Sequence, residues 1–325
     1  MNEFEIIEHY FKQVFSDKDG DVVLGIGDDA AIIHVPEDAE LLISTDTLVS
    51  GVHFPIETSP EDIAYKSLAV NLSDMAAMGA EPKWVTLSLT VPENNDAWFK
   101  AFSKSFNQLA AEHSLVLIGG DLTKGPLSIT VQIQGLTPKT TFKSGSALRR
   151  QGAQAGDLIY VTGKLGGAAF ALQSMLNKTG KYKNPDKEDL LRLNRPQPRI
   201  KTGIALRGLA TSCIDISDGL YADLVHILKA SKVGAEIELD KIPYANSLLN
   251  IDKDLAIELA LTGGDDYELC FTLSEDTKTV VLEHLNSICP ISCIGKINDK
   301  DAALVCKKEN GEVYQPESHA YRHFD

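Results

Sequence analysis

Six short segments of this chain set aspartate beside glycine or a small polar residue. They are Gly25-Ile26-Gly27-Asp28-Asp29, Ser44-Thr45-Asp46-Thr47, Asn71-Leu72-Ser73-Asp74, Gly119-Gly120-Asp121-Leu122-Thr123, Asp215-Ile216-Ser217-Asp218-Gly219 and Gly263-Gly264-Asp265-Asp266-Tyr267-Glu268. Any one of them is an ordinary turn or helix cap, because Asp and Gly serve both purposes. Four of the six abut an apolar strand pattern or follow it within a residue or two. Carboxylates delivered to strand ends converge where ligands sit in α/β proteins. Gathered there, they repel one another unless cations fill the space between them.

Hard divalent cations take oxygen ligands, and Mg²⁺ is held by one or two carboxylates together with substrate phosphates. The metal turns the repulsion between carboxylate and phosphate into attraction. The spacing therefore predicts a multi-Mg²⁺ site for a nucleotide or phosphate ester. Other phosphate and metal motifs fail. The G-x-x-x-x-G-K-[ST] cradle is absent, Gly25-x-Gly27 is followed by two aspartates, and the Asp17, Asp19, Asp21 alternation has Val22 where a calcium loop needs glycine.

Charge and composition narrow the partners. Asp and Glu number 46 against 31 Lys and Arg, a net charge of −15, which is wrong for gripping nucleic acid through a basic face. No apolar run approaches the ~20 residues of a membrane span, and Met1-Asn2-Glu3-Phe4-Glu5 lacks the pattern of a secretory signal. The five cysteines, Cys213, Cys270, Cys289, Cys293 and Cys306, are an odd set with no zinc spacing, and they read as reduced thiols of a cytoplasmic protein.

At 325 residues the chain predicts two domains. Helix is expected over 4–15, and Leu41-Leu42-Ile43-Ser44-Thr45 reads as a short buried strand. A helix capped by Ser59, opened by Pro60 and stopped at Gly79 follows. Along it Ser67, Asn71 and Asp74 share one face, and that polar stripe on an otherwise apolar helix is expected to aim into the site. Strands are expected over 84–91, 115–118 and 127–136, with a helix over 95–112 that buries Phe99, Phe102, Phe106 and Leu109. Between Thr137 and Gly152 the chain turns basic and Gly-, Ser- and Thr-rich, so 1–137 is assigned to an N-terminal α/β domain, 138–152 to a linker and 153–325 to a C-terminal α/β domain. In the second half, strands are expected over 157–162, 213–216, 235–239, 267–273 and 291–297. A glycine turn at 163–167 leads into a helix, and further helices are expected near 198–209, 219–231, 252–260 and 276–287.

The acidic segments, with Leu48-Val49-Ser50-Gly51-Val52-His53-Phe54 and Met75-Ala76-Ala77-Met78-Gly79-Ala80, resemble thiamine-monophosphate kinase from about residue 4 to Phe324. Single motifs are shared with aminoimidazole ribonucleotide synthetase, selenophosphate synthetase and a hydrogenase maturation protein. The His53 segment and Gly264-Asp265-Asp266-Tyr267-Glu268-Leu269 narrow the likeness to the thiamine enzyme. No cysteine precedes Cys213, as a selenophosphate synthetase would require, and the chain ends His323-Phe324-Asp325 rather than in the cysteine of the maturation protein. Relative to many members, Asp265 replaces glutamate, Leu122 replaces threonine and a few residues are added around Thr140–Ser144.

The resemblance implies a two-domain aminoimidazole ribonucleotide synthetase-like fold of the α/β (α+β) class, each domain a mixed sheet with helices packed against it. It implies in-line transfer of the γ-phosphoryl of ATP to thiamine phosphate, the last step of thiamine diphosphate biosynthesis, in a homodimer whose N-terminal sheets form the interface. By motif match, Asp29, Ser44, Thr45, Asp46, Asp74, Asp121, Asp215 and Asp218 would hold several Mg²⁺ ions. Gly120, Asp121, Arg150 and Ser217 would contact ATP, and His53, Asp265 and Tyr321 would meet thiamine phosphate. The acceptor is a phosphate monoester with a second pKa of about 6, already mostly a dianion at neutral pH, so no side chain is needed as general base.

Overall fold

The computed structural model describes residues 1–12, 20–139, 146–176, 184–300 and 303–317. The chain divides into two compact units, Met1–Met75 with Ala80–Gly145, and Ala76–Gly79 with Ser146–Asp325.

The first unit holds α1 (Glu3–Tyr10), β1 (Val22–Leu24), β2 (Ile32–Ile33), β3 (Ala39–Val49), α2 (Pro60–Ala77), β4 (Glu81–Val91), α3 (Asp96–Glu112), β5 (Val116–Lys124) and β6 (Ser128–Pro138). Helix α1 is opened by a capping box between Asn2 and Glu5 and ends earlier than the sequence suggests; residues 13–15 lie outside the described residues. Helix α2 begins as expected, with the Ser59 hydroxyl accepting from the Asp62 N–H at 3.2 Å. It stops at Gly79, whose φ of +65° lets the Ala80 N–H return to the Met75 carbonyl at 2.7 Å. Asn95 caps α3 by accepting from the Trp98 N–H at 3.1 Å, a cap worth about 1 kcal/mol. Phe99, Phe102, Phe106 and Leu109 of α3 are fully buried, as their helical spacing predicts.

Four strands form a mixed sheet in the order β3-β6-β4-β5, with only the β4–β5 pair parallel. Alternation along these strands makes two unlike faces. Val85, Leu87 and Leu89 with Ile129, Val131 and Ile133 line the buried helix side. On the other face Trp84, Val116, Ile118 and Leu136 are covered by Val22, Ala31, Ile33 and Val35. Farther along, that face turns to Thr47, Thr130, Ser88 and Asp121, paired across four strands.

Two expectations change here. The short buried strand is an 11-residue edge strand, β3, with Leu41 and Ile43 39% and 59% exposed. Its run of Ser and Thr after Ile43 continues the strand, because β6 supplies a full ladder of partners. Likewise β5 does not end at Ile118 but passes a one-residue register shift there and runs through Gly119-Gly120-Asp121 to Lys124, paired with β4.

The second unit holds β7 (Leu158–Thr162), α4 (Gly167–Met175), α5 (Lys187–Asn194), α6 (Ile200–Ala205), β8 (Ala210–Asp215), α7 (Leu220–Ser231), β9 (Gly234–Glu238), α8 (Lys253–Thr262), β10 (Leu269–Leu273), α9 (Lys278–Ile288), β11 (Ile291–Asn298), β12 (Leu304–Lys307) and β13 (Val313–Tyr314). Its seven strands run β13-β12-β9-β11-β7-β10-β8, mixed by the parallel β12–β9 pair. β10 is buried along its whole length, so its sequence reads as a continuous apolar run instead of an alternation. Ile214, Ile216, Leu220, Leu224, Ile257, Leu261 and Cys270 belong to one core shared by β8, α7, α8 and β10. That core positions the two turns described next. The short α5, β12 and β13 were not anticipated from sequence.

Candidate functional site

In the first unit the candidate residues ride on strands and on α2. Ser44, Thr45 and Asp46 are consecutive in β3, so alternation sends them to opposite faces. Ser44 and Asp46 share the helix side, where the Ser44 hydroxyl donates to the Asp74 carboxylate of α2 in a short hydrogen bond. Thr45 falls on the other face with Thr47, whose hydroxyl lies 2.8 Å from that of Thr130. Asp121, exposed and opposite Ser88, belongs to this second face, with Gly120 preceding it. Asp29 is exposed in the loop after β1, its N–H bonded to the Asp28 carboxylate at 2.8 Å.

His53 sits in the turn after β3. Its Nδ1 accepts the Val49 N–H at 3.0 Å, which makes Nε2 the protonated nitrogen of the neutral ring. Lys66 of α2, buried at 3% exposure, donates to the His53 carbonyl at 3.3 Å. The polar stripe along α2 divides. Ser67 and Asn71 are fully buried and bond back to their own helix, Ser67 Oγ to the Ala64 carbonyl at 2.9 Å and Asn71 Nδ2 to the Ser67 carbonyl at 3.0 Å. Of the three, Asp74 is the one that meets another candidate residue. Asn71 Oδ1 is left buried without a hydrogen-bond partner.

In the second unit the candidates lie in turns. Asp215 closes β8, and Ser217 and Asp218 form the turn into α7. A carboxylate that sequence reasoning missed holds this turn: one oxygen of Asp223, in the first turn of α7, accepts the N–H groups of both Ser217 and Asp218 at 3.0 Å. Burial, then the Asp215 and Asp218 carboxylates, push the Asp223 acid up to about 8. An acidic residue in the first helical turn just past a Gly was the available signal. Near the start of the unit, Arg150 is exposed, and its carbonyl accepts from Ser231 Oγ at 3.2 Å. The same hydroxyl accepts from the Gly152 and Ala153 N–H groups at 3.1 and 3.2 Å.

Asp265 lies in the segment that leads into β10, at φ +70°, with Tyr267 at φ +49°. Left-handed backbone costs a non-glycine residue about 1–2 kcal/mol, and the surroundings hold it here. The Asp265 N–H bonds the Ser217 carbonyl at 2.9 Å, and the Tyr267 N–H bonds the Ile216 carbonyl at 2.8 Å. The alternate residues turn inward. Asp266 accepts the Gly166 N–H at the start of α4, and its burial raises its acid well above the usual carboxylate range. Glu268, 3% exposed, accepts from Arg199 Nε and Nη2 at 2.6 and 2.5 Å and from the Thr162 hydroxyl at 2.6 Å. A Cβ at Gly163, φ +59°, would collide with that carboxylate, so the turn after β7 requires glycine. Tyr321 and the added residues 140–144 lie outside the described residues.

Each unit therefore presents oxygen donors: the Ser44–Asp74 pair in one, the Asp215 and Asp218 carboxylates in the other. Such donors suit a hard cation. Among the described residues no group of three or more His, Cys, Asp or Glu is placed to hold a metal ion by itself. The arrangement suits an ion whose remaining ligands are phosphate oxygens and water, the usual habit of Mg²⁺.

Comparison with known proteins places these features in a family. Residues 27–137 match the AIR synthase related protein, N-terminal domain, and residues 154–307 the AIR synthase related protein, C-terminal domain. The chain is 46% identical over 327 aligned residues to the thiamine-monophosphate kinase of Escherichia coli K12, covering 99% of this chain and 98% of that one. Its fold is similar to the crystal structure of thiamine-monophosphate kinase from Stenotrophomonas maltophilia K279a, with a TM-score of 0.82, 42% identity and coverage of 91% and 93%. It is also similar to AaThiL complexed with AMPPCP and TMP, with a TM-score of 0.76, 28% identity and coverage of 99% and 95%.

Proposed function

This chain belongs to the thiamine-monophosphate kinase family, and on that premise we propose that it transfers the γ-phosphoryl group of ATP to thiamine phosphate, giving thiamine diphosphate and ADP. The full-length likeness carries the reading. The AMPPCP and TMP held by AaThiL match the two ligand classes, a nucleotide and a phosphate ester.

The chemical obstacle is to bring two polyanions into line, which is positioning and electrostatic work rather than proton transfer. Asp29, Ser44, Thr45, Asp46, Asp74, Asp121, Asp215 and Asp218 are the residues we assign to magnesium. Bound there, the ions supply the positive charge that offsets the phosphates of donor and acceptor. Ser44 orients the Asp74 carboxylate through its hydroxyl. Gly120, Asp121, Arg150 and Ser217 are assigned to ATP, and Asp223 fixes the turn that presents Ser217.

His53, Asp265 and Tyr321 are assigned to thiamine phosphate. Nδ1 of His53 already accepts the Val49 N–H, which fixes the ring and suits a positioning contact more than the role of a base. Residues 138–152 are assigned to the link between domains. The exposed Leu41 and Ile43 on edge strand β3 support pairing with a second copy through the first unit's sheet. The free cysteines and the absence of a membrane-length apolar helix among the described residues support a cytoplasmic setting.

The test is turnover. With ATP, Mg²⁺ and thiamine phosphate, ADP and thiamine diphosphate are expected in equal amounts by liquid chromatography, and neither after removal of Mg²⁺. Tight nucleotide binding without any product would overturn the proposal.

A further inference from the structure

We propose that Arg199 is a positioning residue for the acceptor. Through the buried Glu268 carboxylate it holds the strap 264–268, and so Asp265, in the conformation that meets thiamine phosphate. The inference rests on the assignment of Asp265 made above.

The strap alternates. Asp265 and Tyr267 occupy left-handed backbone, while Asp266 and Glu268 send their carboxylates inward and are 8% and 3% exposed. Asp266 is tied to the N–H of Gly166, and Glu268 to Thr162 and to both arms of the Arg199 fork. Arg199 is itself largely covered, with 18% of its side chain exposed. A planar guanidinium that meets a carboxylate through two parallel bonds sets direction as well as charge. Without it, Glu268 is a buried carboxylate whose charge is uncompensated, and such a group protonates or pulls out of its pocket. Either outcome frees the residue next to Tyr267 and relaxes the strained pair.

The neighbouring turn shares backbone hydrogen bonds with the strap but has an anchor of its own as well. Ser217 and Asp218 are held by Asp223, on α7, which does not touch the Arg199 fork. Loss of Arg199 therefore acts first on the acceptor side, while the Ser217 and Asp218 N–H groups keep their own acceptor.

The experiment uses the full chain with R199Q and R199K. In R199Q the KM for thiamine phosphate is expected to rise by roughly tenfold while the KM for ATP stays within about twofold. R199K keeps the charge but not the fork, and should recover only part of that loss. A folded R199Q with an unchanged acceptor KM, or with kcat alone reduced, would overturn the proposal. If R199Q does not fold, Thr162→Val removes one donor to Glu268 without touching charge and should show the same split at smaller size; an unchanged acceptor KM there counts equally against it.

Hydrogen exchange separates this claim from the functional reading. R199Q should speed exchange of the Asp265 and Tyr267 amides and leave those of Ser217 and Asp218 unchanged. If the wild type makes no thiamine diphosphate, the functional reading fails, and the exchange pattern still decides the positioning claim. Equal exchange in wild type and variant overturns it.

Discussion

The two units present their acidic residues by different means. In the first, Ser44, Thr45, Asp46 and Asp121 belong to the bodies of long strands, and ladder register alone decides which face each occupies. In the second, Asp215 ends β8 and Ser217, Asp218 and Asp265 lie in the turns beside β8 and β10, held by the buried carboxylates of Asp223 on α7 and of Asp266 and Glu268 in the strap itself. A residue borne by a ladder can lose its side chain without disturbing its neighbours. A residue borne by a turn depends on side chains that never touch a ligand. The first arrangement concentrates the functional cost at the substituted residue, and the second spreads it into the supports.

The strongest contrast should come from Asp74→Asn. It removes charge beside Ser44 while keeping the size of the side chain, so kcat/KM should fall by about 100-fold or more, by analogy with the removal of one electrostatic contact at a reacting centre. The melting temperature should stay within a few degrees of wild type; turnover within a few-fold of wild type at saturating Mg²⁺ would remove Asp74 from the metal set. Asp223→Ala should reverse the pattern by leaving two N–H groups without an acceptor, a loss of about 1–3 kcal/mol after relief of its repulsion with Asp215 and Asp218. Denaturant unfolding would read that loss, and the KM for ATP should rise with it. An unchanged denaturation midpoint would mean that the turn stands without its carboxylate.

His53→Ala is a smaller test in the first unit, at a residue borne by the turn after β3. The KM for thiamine phosphate should rise by roughly tenfold, with kcat within about threefold, since a uniform binding contact is lost. A pure kcat effect would give His53 another role. The smallest effect is one of pH. The Asp266 acid is raised by burial, so the native state holds a proton that the unfolded chain releases above its ordinary value near 4. Its contribution is fully present below that value and is lost as pH rises through the folded pKa. Asp266→Asn should therefore lose less melting temperature than wild type between pH 5 and pH 8. Parallel curves would show that Asp266 ionises in the fold without penalty.

The sequence reading succeeded where local chemistry and apolar spacing agreed. Ser59, Pro60 and Gly79 bound α2 correctly, and the phenylalanine spacing placed α3. It fell short at β3 and β5, where Ser-Thr-Asp and Gly-Gly-Asp look like strand ends and are strand interiors. Partner strands supply the hydrogen bonds that such residues do not advertise. The stripe on α2 was only partly legible: Ser67 and the Asn71 amide N–H bond back to their own helix, while Asn71 Oδ1 stays buried without a partner and Asp74 meets Ser44. Asp223 and Arg199 went unnoticed because each acts on residues far from it or through a backbone N–H, and no short motif records that.

Local order along the chain was enough to settle that aspartate and glycine punctuate an alternation of strands and helices, that the surplus of carboxylates calls for counter-cations, and which family the motifs resemble. Those properties depend on residue type and short-range spacing, which a linear text preserves. Which face of the sheet carries Asp46 and which carries Asp121, and which buried carboxylates brace the turns, emerged only once the strands had paired. A one-residue change of register moves every side chain to the opposite face, and register is a property of two strands together.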